Sequence, residues 1–113
     1  LRRGVLTRNS RVSANTTLDR LGWQFDTVLT REDAPAKPDP TGVLAICRDW
    51  NLAPLDVLFV GDYLFDLQAG HNAGTRAVLF APGPMPAWSD EADWVVKEFD
   101  ELSELIEQLC DGT

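Results

Sequence analysis

The chain has 113 residues, 44% of them apolar, and a formal net charge of -8, the composition of one compact domain with a modest core rather than a disordered tail. No apolar run approaches the ~20 residues that span a bilayer, and no charged-then-apolar leader precedes a cleavage site, so no membrane partner is expected. The acidic balance argues equally against nucleic acid, whose phosphates need basic groups to neutralise them.

Taken in order, Gly4-Val5-Leu6 predicts a short strand that ends in a turn and capping cluster, Thr7-Arg8-Asn9-Ser10. A helix should follow from Ser10 to Leu21, with Val12, Leu18 and Leu21 on one face and Gly22 as its stop. Phe25 to Leu29 reads as a second strand, and the prolines between Asp33 and Pro40 impose a loop. Asp39 is a natural cap for the next helix, with Pro40 at its first position and Val43, Ile46, Cys47 and Trp50 on one face. Leu55 to Val60 is so apolar that a strand buried on both faces is expected there, ending at Gly61-Asp62. A helix from Tyr63 to Ala73 closes at Gly74, and Ala77 to Phe80 forms a fourth strand. After the loop of Pro82, Pro84 and Pro86, Trp94-Val95-Val96 suggests an edge strand. Asp100 should cap a last helix whose apolar stripe is Leu102, Leu105, Ile106 and Leu109.

Alternating strands and helices predict an α/β fold, a parallel sheet with helices on both faces. Ligands of such sheets bind beyond the carboxyl ends of the strands. The chemically interesting residues stand at those ends: Thr7, Lys37, Asp62 and Asp66. A hydroxyl and amides at a strand-to-helix turn, as in Thr7, Arg8 and Asn9, can cradle an anion; the simpler reading is that Thr7 and Ser10 only cap the helix. Lys37, on a loop stiffened by prolines, can neutralise a phosphoryl oxygen, although most loop lysines simply face water. Asp62 and Asp66 lie one helical turn apart behind an apolar strand. Two carboxylates so close need a cation or a shared proton, and a hard, oxygen-ligated ion such as magnesium fits best.

Together these residues resemble the haloacid dehalogenase superfamily. Thr7 in Gly4-Val5-Leu6-Thr7-Arg8-Asn9 is similar to its second motif, an apolar strand ending in Ser or Thr. Lys37-Pro38-Asp39-Pro40 resembles the third, in the form common among phosphoglycolate phosphatase-like members. Gly61-Asp62-Tyr63-Leu64-Phe65-Asp66 resembles the fourth, and Ala69-Gly70 and Ala73-Gly74 continue as those members do. The resemblance covers nearly the whole chain. It implies a Rossmann-like core and magnesium-dependent hydrolysis of a small phosphorylated metabolite through an aspartyl-phosphate. It also implies that Thr7 and Lys37 are catalytic, that Arg8 and Asn9 help them bind phosphate, and that Asp62 and Asp66 hold the metal.

The family's first motif, Asp-x-Asp after an apolar strand, does not occur in these residues, and neither does a cap domain. Residues 1–113 are therefore expected to be the C-terminal part of such a core, inactive alone. Without the central strand, two apolar edges stand unpaired, which lowers stability. The opening Leu1, not Met, agrees with a fragment. Tyr63 stands where many relatives carry a small polar residue, which bears on substrate class. Two other readings compete. A non-catalytic module could keep the fold, and an upstream Asp-x-Asp decides against it. A receiver domain of two-component signalling uses similar residues, but there the acidic pair comes first and the lysine last. Substrate identity and oligomeric state stay open.

Charge is uneven: six Arg face two Asp in residues 1–31, against four basic and sixteen acidic residues in the rest. The Arg-rich start could favour an anionic small molecule, but reads more simply as a solvated basic face. Cys47 and Cys110 have no CxxC spacing and read as two buried thiols in a reducing cytosol, which points to a cytoplasmic protein. His71 has no evident partner and reads as a surface residue. The four tryptophans read as core or loop anchors.

Overall fold

A computed structural model describes residues 1–111 of the chain. Strands β1 (Gly4–Leu6) and β2 (Thr27–Leu29) pair in parallel, with Leu6 opposite Leu29. Strands β3 (Leu58–Gly61), β4 (Arg76–Phe80) and β5 (Trp94–Val96) form a second parallel set, β4 in the middle. Helices α1 (Arg11–Leu21), α2 (Thr41–Asp49), α3 (Leu64–Ala73) and α4 (Phe99–Asp111) alternate with them. The expected α/β architecture is present. Among the described residues β1 and β3 do not pair, so the strands fall into a two-stranded and a three-stranded sheet with β1 and β3 each at an open edge.

Two apolar clusters fill the interior. Val43 and Cys47 of α2 meet Val57 and the small residues Ala69 and Ala73 of α3, with Leu6, Leu44, Trp50 and Phe59 packed around them. Leu67, Ala77, Leu79 and Ala81 form the other, closed by Trp88, Ala92 and Val95. α3 contributes to both clusters, which fixes its first turn and therefore the residues that follow β3.

Several expectations need correcting. Val12 is 76% and Leu21 49% exposed; the buried face of α1 runs instead through Ala14 and Leu18, because a two-stranded sheet offers little surface to cover. The second strand is only three residues long, and Phe25 lies outside it under the Arg3 guanidinium, 5.3 Å from the ring centroid. The third strand begins at Leu58, since Pro54–Asp56 form a 3-10 turn that leaves Leu55 exposed. That strand is not buried on both faces: Val60 is exposed, as the open edge of β3 allows. α2 begins one residue later than the pattern suggests, yet Asp39 still accepts from Thr41 N at 2.8 Å. α4 begins at Phe99, and Glu101 rather than Asp100 receives the amides of Lys97 and Glu98 at 3.0 and 3.1 Å. Its stripe of Leu102, Leu105, Ile106 and Leu109 is the half-buried face, as expected. Cys47 is buried, and burial pushes its thiol pKa up, but Cys110 is exposed.

Candidate functional site

Three segments deliver the site. At the end of β1, Thr7 donates its amide to Leu29 O at 3.0 Å, and its Oγ1 accepts the Asn9 amide at 3.1 Å. The Thr7 hydroxyl proton is therefore free to be donated elsewhere. Asn9 O in turn accepts the Arg31 amide at 3.0 Å, which ties this turn to the segment after β2. The start of α1 is closed by the protein itself. Ser10 Oγ accepts from Ser13 N at 3.2 Å, and Glu32 accepts from Arg11 N at 3.1 Å. Thus Ser10 is the helix cap, and Thr7 organises the turn before it.

The proline loop between β2 and α2 brings Lys37 across to the other sheet. Its Nζ lies 2.7 Å from Asp66 Oδ1 and 3.4 Å from Leu6 O, and 6.0 Å from the centroid of the Phe59 ring. An ammonium has three donors, and these contacts occupy two. The Lys37 and Asp66 side chains are 19% and 11% exposed, so the pair is largely shielded from water. Asn72 Nδ2 adds a second tie to this loop, donating to Pro38 O at 3.2 Å.

Beyond β3 the chain turns sharply into α3. Asp66 Oδ2 accepts the amides of Asp62 and Tyr63, both at 3.1 Å, which satisfies two donors at the helix entry. Gly61 makes this possible: a Cβ there would overlap Cβ and Cγ of Asp66. Asp62, by contrast, is exposed.

These ends meet in one open cleft of about 520 Å³, lined by Leu6, Thr7, Arg8, Ala36, Lys37, Asp62, Tyr63, Phe65 and Asp66. Of the residues anticipated from sequence, Thr7, Arg8, Lys37, Asp62 and Asp66 all line it. Asn9 does not; it braces Thr7 from behind. Cationic, hydroxyl and carboxylate groups thus converge at the carboxyl ends of strands. That set can receive an anionic group and a hard cation together.

For a metal, the two carboxylates supply hard oxygens of the right kind on one side only. Among the described residues no group of three His, Cys, Asp or Glu side chains converges. Asp66 is already engaged on both oxygens, leaving Asp62 the freer ligand. The donors fit half of a magnesium shell.

Sequence reasoning missed the clamp behind this site. Arg11 pairs with Asp33 and donates to Val28 O at 2.9 Å; Asp33 accepts from the buried Thr30 amide at 2.8 Å. The Thr30 amide, then its hydroxyl, hold the Asp33 carboxyl below its usual range, with Arg11 adding to the effect. The Thr30 hydroxyl does the same for Glu32. Glu32-Asp33 is visible as an acidic pair, but its partner Arg11 is 22 residues from Asp33, and no local pattern links them. His71 also proves to have a partner: Nε2 lies 2.9 Å from Asp93 Oδ2, which accepts the Ala77 amide at 2.8 Å. Burial opposes the charge on Asp93, but the Ala77 amide and His71 outweigh it and its pKa is lowered. Neither residue lines the cleft.

Comparison with known proteins bears on the family and the fold. The family model for haloacid dehalogenase-like hydrolases matches residues 1–80. A haloacid dehalogenase-like hydrolase domain-containing protein of Arabidopsis thaliana is 30% identical over 118 residues, covering 98% of this chain and 48% of its own length. The N-acetylmuramic acid 6-phosphate phosphatase of Pseudomonas aeruginosa is 32% identical over 116 residues, covering 96% of this chain and 51% of its own. A solved structure, that of a predicted phosphoglycolate phosphatase from Haemophilus somnus, superposes with a TM-score of 0.78 at 27% identity, over 91% of this chain and 48% of that one. The chain thus spans about half the length of the curated relatives it matches. No helix among the described residues is long and apolar enough to cross a membrane. With the fold, the three strand-end motifs and the match over residues 1–80 in agreement, the chain belongs to the haloacid dehalogenase-like hydrolase family.

Proposed function

We propose that residues 1–113 are the C-terminal part of the core of a magnesium-dependent phosphate monoester hydrolase, without its cap domain, and that they supply the phosphate- and metal-handling half of its site. The observation that carries this reading is the Lys37–Asp66 pair, at 2.7 Å, joining two separate sheets in one cleft with Thr7, Arg8 and Asp62.

In this reading the Thr7 hydroxyl and the free N–H of Lys37 donate to phosphoryl oxygens, with Arg8 at the margin and Asn9 holding Thr7 in place. Asp66 fixes the Lys37 ammonium and the turn at Asp62, so neither has to reorganise as charge builds on the phosphoryl group. Asp62 and Asp66 would hold magnesium, directly or through water, and the ion would screen the approach of one anion to another. The attacking aspartate is the first residue of an Asp-x-Asp sequence that these residues lack. Its carboxylate would bond to phosphorus as the ester P–O bond breaks and the alcohol leaves, giving an aspartyl-phosphate that water then cleaves to free the aspartate and inorganic phosphate. Relatives named as phosphatases of N-acetylmuramic acid 6-phosphate and of phosphoglycolate support a small phosphorylated metabolite as substrate.

The test is phosphate release from simple monoesters by this chain and by the product of a longer reading frame containing it. The chain alone should release none. The longer protein should do so with magnesium and stop with EDTA, and Lys37→Met should slow it about 100-fold or more. Turnover by the chain alone, or a full rate in Lys37→Met, would sink the proposal. An upstream frame without an apolar strand and Asp-x-Asp would leave a non-catalytic module instead.

A further inference from the structure

Thr7 and Lys37, the two donors assigned to phosphoryl oxygens, stand on different segments, and strand pairing stops short of both. β1 and β2 have three residues each, and the hydrogen bond from the Thr7 amide to Leu29 O, at 3.0 Å, closes their end. Past that point polar bonds take over, each crossing from residues 9–11 to residues 28–33. Asn9 O accepts the Arg31 amide at 3.0 Å, and Glu32 accepts the Arg11 amide at 3.1 Å. The Arg11 guanidinium reaches Asp33 and, at 2.9 Å, Val28 O. Thr30 joins them from inside: it is 1% exposed, and its amide and hydroxyl lie 2.8 and 2.9 Å from Asp33 Oδ2. From Asp33 the chain has only Ala34, Pro35 and Ala36 to cross before Lys37. Ala34 and Leu6 both abut Gly42 of α2, where a Cβ would come within 3.2 Å of either side chain. None of Arg11, Thr30 and Asp33 lines the cleft, so any part they play in the chemistry runs through Thr7 and Lys37.

Resting on the phosphate-site reading above, we infer that Arg11, Thr30 and Asp33 are positioning residues that set the spacing between the Thr7 hydroxyl and the Lys37 ammonium. A clamp confined to one segment would stabilise the fold without relating the two donors. This one bridges the segments that carry them, so loosening it lets each drift against the other. Donors that meet oxygens of one phosphoryl group tolerate little drift, and a displacement of about 1 Å costs on the order of 100-fold in rate. The Asn9–Arg31 bond outlasts the clamp, so a smaller loss is expected from breaking the clamp alone.

The experiment is steady-state hydrolysis of a simple monoester, with magnesium, by the product of the longer reading frame, at a temperature well below each variant's melting midpoint. Asp33→Asn and Arg11→Met should each lower kcat about 10-fold and move KM less than about 2-fold, because Thr7 and Lys37 are still there to bind phosphate. The double variant should lose about as much as either single one, since both act through one clamp. Arg11→Lys should recover part of the loss. Thr30→Val, close in shape and keeping its amide, is the milder variant should the others not fold, and should lower kcat about 3-fold. Trp50→Phe removes a hydrogen bond to Thr27 at the far end of β2 and should keep kcat, which measures a merely structural loss. An unchanged kcat in the clamp variants, a loss matched by Trp50→Phe, or a raised KM with kcat intact would overturn the inference and leave the phosphate-site reading standing. Losses that add in the double variant would also overturn it. No phosphate release by the unaltered longer protein would remove that reading and this inference with it.

Discussion

In residues 1–41 only Ala14 and Thr30 are buried, whereas the three-stranded half seals Leu67, Ala77, Val78 and Leu79 completely from water. The first half is held by polar clamps: Arg11 to Asp33 and Val28, Glu32 to the start of α1, and Trp50 Nε1 to Thr27 Oγ1 at 2.9 Å. The second is held by apolar burial, which is non-directional and needs no particular partner. The cleft lies where the two meet, and the Lys37–Asp66 pair spans them. Polar clamps orient groups without sealing them off, and a site that must admit a ligand needs that on at least one wall.

Mutations in the two halves should therefore differ in size and kind. The largest loss is expected for Leu67→Ala, about 3–4 kcal/mol in urea denaturation, because α3 has no room to collapse into the cavity. A loss below about 1 kcal/mol would erase the contrast between the halves. Asp66→Ala should follow at about 2–3 kcal/mol, since it leaves the Lys37 ammonium and two amides without their partner. If Asp66→Ala unfolds no more readily than wild type, the pair does not join the sheets. Trp50→Phe keeps most of the packing and removes one hydrogen bond to Thr27, so about 1 kcal/mol should be lost. Val12→Ala, on the exposed face of α1, should change the unfolding free energy in urea by no more than about 0.5 kcal/mol. A larger change would mean that face is covered in solution.

The Asp33 clamp sharpens the comparison through pH rather than size. Because its pKa in the folded chain is lowered, its stabilisation is fully present above the ordinary carboxylate value and is lost as pH falls through the folded value. Asp33→Asn should be less stable than wild type at neutral pH, and the two melting curves should converge in acid. A gap that persists unchanged in acid would show that the clamp acts through shape and not charge.

Much of this was legible in the residues. Periodicity located α2 and α4 to within one or two residues at their starts, and Gly22 and Gly74 marked two helix ends, where their φ values of 71° and 92° suit glycine. The strand-end positions of Thr7, Lys37, Asp62 and Asp66 could also be read, because local pattern fixes where an element stops. The limits of β2 and β3 and the buried face of α1 could not. Short apolar runs look alike whether a neighbour covers them or not, and the open edge of β3 is a property of the sheet, not of Leu55 to Val60.

By itself, then, the sequence determined the α/β alternation and the set of chemical groups at the strand ends, since both follow from spacing along the chain. Only the tertiary structure decided that Asp66 spends its oxygens on Lys37 and the turn, that Asn9 stands behind Thr7, and that Tyr63 and Phe65 line the cleft. The first of these depends on segments far apart in the chain meeting, as Leu6 and Lys37 do across 31 residues, and local pattern carries no signal of that meeting.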